Sequence, residues 1–119
     1  KEVVNNKESQ SNLEQNIIKK LNQIILDQVS NPDLTTDLIA SELSASRSKA
    51  IRLIKELTGQ TPLAYIKAIR MNYVDEMIKS KKIKNSTEAA NAVGMSHATQ
   101  YSRQNKKHYG YNPAFVKEA

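Results

Sequence analysis

The sequence predicts an all-α fold in which two pairs of short helices are joined by one long helix, about seven helices in total. Three observations predict it. The 119 residues contain only three Gly and three Pro, too few for a many-turned β protein. Apolar residues recur at steps of three and four rather than two. Cap residues of the Asn, Ser and Thr type precede the periodic runs, and Gly follows several of them.

The composition narrows the chemistry. There is no Cys, hence no disulfide, no thiolate nucleophile and no Cys-ligated zinc. His97 and His108 stand eleven positions apart with no acidic residue between them, which disfavours a metal site. No nucleophile–base pair or Gly-rich phosphate loop points to an enzyme, and no cofactor is expected. No apolar run reaches the ~18 residues of a membrane span, and no signal-peptide hydrophobic region opens the chain. The expected compartment is therefore cytoplasmic, or the cytoplasmic side of a membrane-anchored sensor if one is fused to this chain. The absence of an initial Met suggests a piece of a longer protein.

Residues 1–11 (KEVVNNKESQS) are polar and aperiodic and read as a linker or disordered leader. From Asn12, taken as the cap, Leu13, Ile17, Leu21, Ile24, Ile25 and Val29 form one stripe of an amphipathic helix that Asn31-Pro32 ends. Thr35 caps a short helix over 36–43 that buries Ile39, Ala40 and Leu43. After a turn at Ser44-Ala45, Ser46 caps a helix over 47–58, stopped by Gly59. Its apolar positions are Ile51, Ile54 and Leu57, helped by Ala50 and Leu53.

Thr61-Pro62, a cap followed by a first-turn proline, opens the long helix over 62–79. Tyr65, Ile66, Ile69, Tyr73, Val74 and Met77 form its apolar side, and the basic KSKKIK connection follows. Ser86 or Thr87 starts a helix through Val93, and Gly94 supplies the turn. Ser96 is read as the cap of the next helix, through about Lys107, and Asn112-Pro113 as the start of a last short helix to about Lys117. The organisation is thus a leader (1–11), a first unit (12–60), a linker helix (61–80) and a second unit (81–119).

The two units repeat. Ala40, a turn, a Ser cap, Arg52, Lys55, Gly59 and Pro62 are answered by Ala90, a turn, a Ser cap, Arg103, Lys106, Gly110 and Pro113. A small residue in the first helix lets the second cross it closely, and the turn reorients the chain, which is a helix-turn-helix. The N-terminal residues of its second helix are placed to face base edges in a major groove. Charge agrees. Residues 46–119 hold fourteen basic and five acidic side chains, against four and seven in residues 1–45. A concentrated basic segment suits a polyanion, although a solvated surface is the competing explanation.

The segments LIASELSASRSKAIRLIKELTGQTPLAYIKAIR (38–70) and AANAVGMSHATQYSRQNKKHYGYNPAFV (89–116) resemble the DNA-binding domain of AraC/XylS-type transcription regulators. The second carries Gly94, a hydrophobic residue, Ser96, Tyr101-Ser102-Arg103, Lys106, Tyr109-Gly110 and Pro113, in the family's order. The helix ending in SNPDL, with SRSK and LTGQTP after it, is similar to the C-terminal output domains of hybrid two-component regulators. The resemblance implies sequence-specific binding of double-stranded DNA in transcription regulation, with recognition helices over 47–58 and 97–107 in adjacent major grooves. Base contacts fall to Arg47, Ser48, Lys49, Arg52, His97, Thr99, Gln100 and Arg103. Phosphate contacts fall to Ser46, Lys55, Thr61, Ser96, Lys106 and Lys107. For Arg52 the competing role is an exposed ion pair with Glu56.

The sequence departs from the family at Ala50, Ser86, Ala89, Gln100, Gln104 and Asn105, where a large apolar residue is usual. Five of the six lie in the second unit, which is therefore expected to be the less stable one; a buried, unpartnered Asn105 amide would cost about 1–3 kcal/mol. The same polar residues motivate an alternative, a helical interaction module contacting the transcription machinery such as RNA polymerase, with a degenerate second unit. The isolated domain is expected to be a monomer and the full-length protein a dimer.

Overall fold

A computed structural model describes residues 6–113 and 115. Six α-helices and no strand occur among them: α1 (Asn6–Asp27), α2 (Thr36–Glu42), α3 (Arg47–Thr58), α4 (Pro62–Lys79), α5 (Ser86–Ala92) and α6 (Ala98–Tyr109). The expected seventh helix, to about Lys117, falls mostly outside the described residues.

Most helix starts follow the local chemistry of the sequence. The side chains of Thr35, Ser46 and Thr61 accept hydrogen bonds from the backbone N–H groups of Leu38, Lys49 and Ala64, at 3.3, 3.1 and 3.2 Å. Each satisfies a donor that the first helical turn leaves unpaired. Asn85 does the same for α5 through the Glu88 N–H, while the Glu88 carboxylate reaches back to the Lys84 N–H. Gly59 and Gly110 end α3 and α6 in the left-handed conformation, at φ 74° and 83°.

Three expectations need correction. Asn12 does not cap α1, which begins at Asn6, so residues 6–11 are helical rather than linker. Extending a nucleated helix adds one hydrogen bond per residue, and Lys, Glu and Gln are good helix formers. Ser96 does not cap α6. His97 occupies that position and makes no side-chain cap bond. The reason is an extra residue in the second turn. Ser44 (φ 55°) and Gly94 (φ 70°) are equivalent left-handed residues, but α3 begins three residues after the former and α6 four after the latter. Finally, Leu13 and Ile51, both assigned to apolar faces, are 57% and 38% exposed.

The helices enclose two cores. Leu21, Ile24 and Ile25 of α1 join Leu34, Ile39, Ile54 and Ile66 in the first. The second contains Met71, Val74 and Ile78 of α4, Ile83, Ala89, Ala90, Val93 and Tyr101. Helix α4 therefore serves both, giving Ile66 to one and its later turns to the other. Met71 and Ile78 are buried although they lie off the stripe read from the sequence, because a bridging helix is covered from more than one direction.

The units meet at the corner after α1. Val29, the last apolar residue of the α1 stripe, packs in the second core rather than the first. The Arg70 guanidinium on α4 donates to the carbonyls of Val29 (3.1 Å) and Asn31 (2.6 Å). Burial holds that guanidinium below its ordinary pKa. Gly94, in the second turn, lies directly on the Asn31-Pro32 backbone, where a Cβ would stand 2.9 Å from the Pro32 nitrogen.

Asn105 is buried, at 4% exposure, in the helical position that Ile54 holds in α3. Its amide donates to the Tyr111 carbonyl at 2.9 Å, and its oxygen accepts from the Tyr101 hydroxyl at 3.3 Å. The cost of an orphaned amide therefore does not arise, and no buried side-chain polar atom among the described residues lacks a partner.

Candidate nucleic-acid interface

Helices α3 and α6 have one register. From the cap residue to the terminal glycine is thirteen positions in both, Ser46 to Gly59 and His97 to Gly110. Equivalent residues therefore follow from the fold: Ser48 with Thr99, Lys49 with Gln100, Ala50 with Tyr101, Arg52 with Arg103, and Lys55 with Lys106. Ala50 and Tyr101 are completely buried and orient the two helices on their cores. The opposite faces then carry Ser48, Arg52 and Lys55 in α3, and Thr99, Arg103 and Lys106 in α6. Each set has the spacing i, i+4, i+7, which makes one row along a helix.

The structure leaves all fourteen sequence-assigned contact residues exposed. Several already have partners. Arg47 forms an ion pair with Asp37 of α2 at 3.1 Å, a contact ten positions apart that no local pattern signals. Arg52 pairs with Glu56, four residues on, at 3.8 Å. Both pairs are solvent-exposed, and exposed pairs contribute only about 0–1 kcal/mol, so a phosphate or a guanine edge can replace the carboxylate at little cost. Lys55 donates to the Gly59 carbonyl at 3.3 Å. The cap oxygens of Ser46 and Thr61 accept from backbone N–H groups, which leaves each hydroxyl proton to donate outward.

The second unit differs electrostatically. Arg103, Lys106 and Lys107 have no ion pair within the described residues. The exposed face of α6 therefore presents unneutralised charge, while two arginines of α3 are partly neutralised by carboxylates.

Ile51 is a surface residue. Its exposed position puts it beside Ser48, Arg52 and Lys55 on the outer face of α3. Its apolar character fitted the helical stripe, so only burial reveals that it faces outward. No group of three or more His, Asp or Glu side chains that could hold a metal ion occurs among the described residues. No helix there is long and apolar enough to cross a membrane.

Comparison with known proteins agrees with this geometry. The family described as "Helix-turn-helix domain" matches residues 39–119. Among curated relatives, the HTH-type transcriptional regulator AlkR of Acinetobacter baylyi is 29% identical over 84 residues. That match covers 71% of this chain and 27% of AlkR. The histidine kinase P4 of Formosa agariphila is 25% identical over 104 residues, covering 87% of this chain and 8% of the kinase. This chain thus spans only a small part of the length of either relative. Among solved structures, the C-terminal domain of AraT, a response regulator from Geobacillus stearothermophilus, superposes with a TM-score of 0.73 at 27% identity. The superposition covers 86% of this chain and 88% of that one.

Proposed function

The chain belongs to the AraC-type helix-turn-helix family of DNA-binding transcriptional regulators, a non-catalytic family, and from that premise we propose that it reads a specific double-stranded sequence with two recognition helices in adjacent major grooves. One observation carries this reading: Arg52 and Arg103 sit at the same position of two helices with identical register, both exposed and each seven residues before the terminal glycine. A guanidinium in this position reaches guanine O6 and N7 as a bidentate donor, worth about 1–3 kcal/mol of discrimination. Ser48, Thr99 and Gln100 flank these arginines as further base contacts. Ile51 adds an apolar surface suited to a thymine methyl group. Ser46, Lys55, Thr61, Ser96, Lys106 and Lys107 hold phosphates and set the register.

The units at 12–60 and 81–119 act as two reading heads on the linker helix at 61–80. The likeness to the C-terminal domain of a response regulator and to a short part of a histidine kinase supports a role as the output segment of a longer two-component regulator. The partner corner formed by Asn105, Tyr101 and Tyr111 favours an intact second unit over a degenerate one, and hence DNA reading over the protein-interaction alternative.

Selection of bound duplexes from a random pool tests the reading. The selected site is expected to contain two conserved segments about one helical turn apart. Arg52→Ala should relax one segment and Arg103→Ala the other. A single conserved segment, unaffected by Arg103→Ala, rules out two-helix reading.

A further inference from the structure

Between the first half of α4 and the last turns of α6 runs an open groove of about 440 Å³. Thr61, Ala64 and Lys67 form one wall, and Gln104, Lys107 and His108 the other. Two of these, Thr61 and Lys107, already belong to the proposed phosphate contacts. Ala64, Lys67 and His108 are new to the interface.

The charges in this groove have no internal counterpart. Lys67 is exposed and makes no ion pair within the described residues. Its neighbours at three and four positions are Leu63, Ala64, Arg70 and Met71, none acidic. Lys79, on the same helix, shows the usual arrangement, with Asp75 four residues earlier at 3.0 Å. A lysine near a helix C-terminus is accounted for by the helix dipole, which covers Lys107 in the last turn of α6. Lys67 lies in the interior of α4, where that account fails. Lys67 thus faces Lys107 and His108 across the groove with no carboxylate among the groove residues, an arrangement that favours an anionic occupant. The groove also adjoins Gln60, directly after α3, and flanks α6, so it lies between the two recognition helices.

We propose that this groove seats the phosphodiester backbone of the DNA segment between the two major-groove contacts, with Lys67, Lys107 and His108 as its donors. The proposal rests on the DNA-binding reading above. Phosphate oxygens accept from the cationic rims and the Thr61 hydroxyl, while Leu63 and Ala64 meet the apolar edges of deoxyribose. The contact is independent of base sequence.

The test compares the full chain with Lys67→Ala and Lys67→Arg, using a selected site and a random-sequence duplex titrated across salt concentrations. One phosphate contact contributes a slope of about 0.9 in log K against log salt, or about eight-fold in affinity at 0.1 M salt. Lys67→Ala is expected to lose both on both duplexes, and Lys67→Arg to retain them. Phosphate ethylation between the two conserved segments should inhibit the native chain more strongly than Lys67→Ala. Unchanged affinity and slope in Lys67→Ala overturns the proposal while DNA binding stands, and is the result expected if an acidic peptide occupies the groove instead. A native chain without salt-dependent duplex binding removes the underlying reading itself.

Discussion

Gly94 rests on the backbone of Pro32, so the turn of the second helix-turn-helix unit is packed directly against the corner that connects α1 to α2 in the first. A Cβ on Gly94 would lie 2.9 Å from the Pro32 nitrogen and 3.0 Å from the Asn31 carbonyl carbon. Both obstacles are backbone atoms, which cannot rotate away. The residue also needs φ +70°. The familiar role of glycine in this turn is conformational, but here a second requirement, close approach, comes from the other unit.

Gly94→Ala is therefore expected to cost more than the same change at Gly59 or Gly110. Those two need a left-handed backbone but have no atom within 4 Å of the added Cβ. Left-handed backbone alone costs about 1–2 kcal/mol. Urea unfolding should show that loss for Gly59→Ala and Gly110→Ala and a larger one for Gly94→Ala. Equal losses at all three would falsify the close-approach account.

Arg70→Met is expected to loosen the two units from each other. Hydrogen bonds to charged groups contribute about 1.5–3 kcal/mol each, and Arg70 makes two, to Val29 and Asn31. The variant should lose stability by up to about 3–6 kcal/mol, with part of it restored in Arg70→Lys. It should also tolerate altered spacing between the two conserved DNA segments better than the native chain does. A spacing profile identical to the native one argues that α4 alone sets the geometry.

Alkaline pH should destabilise the fold through Tyr101. Burial, with Asp75 and Tyr109 adding to it, pushes the Tyr101 phenol up to about 12 from 10. The folded state thus holds this proton more tightly than the unfolded state. Its contribution to stability is complete below pH 10 and disappears as pH rises to about 12. Tyr101→Phe should flatten the loss across that window in chemical unfolding series, at a stability cost near neutrality from the hydrogen bond to Asn105.

Ser44→Gly should stabilise. Ser44 holds φ 55° in the first turn, where its counterpart Gly94 pays no Cβ penalty. Its side chain is exposed and makes no hydrogen bond among the described residues. Relief of the left-handed strain, less the extra chain entropy of glycine, should raise stability by roughly 0.5–1 kcal/mol, seen as a higher melting temperature.

Wherever a local signal was sufficient, the sequence determined the structure. Thr35, Ser46 and Thr61 fixed three helix starts, Gly59 and Gly110 two ends, and the steps between Leu21, Ile24 and Ile25 the buried face of α1. Cap bonds, left-handed glycines and helical periodicity act within about one turn, so they are written in neighbouring residues. The recurrence of Arg52 and Arg103 was legible for the same reason. Tertiary structure decided what depends on contacts between distant segments. It turned Ile51 outward, placed Val29 in the second core, gave Arg70 its carbonyls forty positions back along the chain, and supplied Asn105 with a partner on either side. An apolar, cationic or amide side chain has the same local signature whether it is buried, exposed or partnered. Only packing fixes its surroundings, and the groove that joins Lys67 to Lys107 exists only once α4 and α6 are packed together.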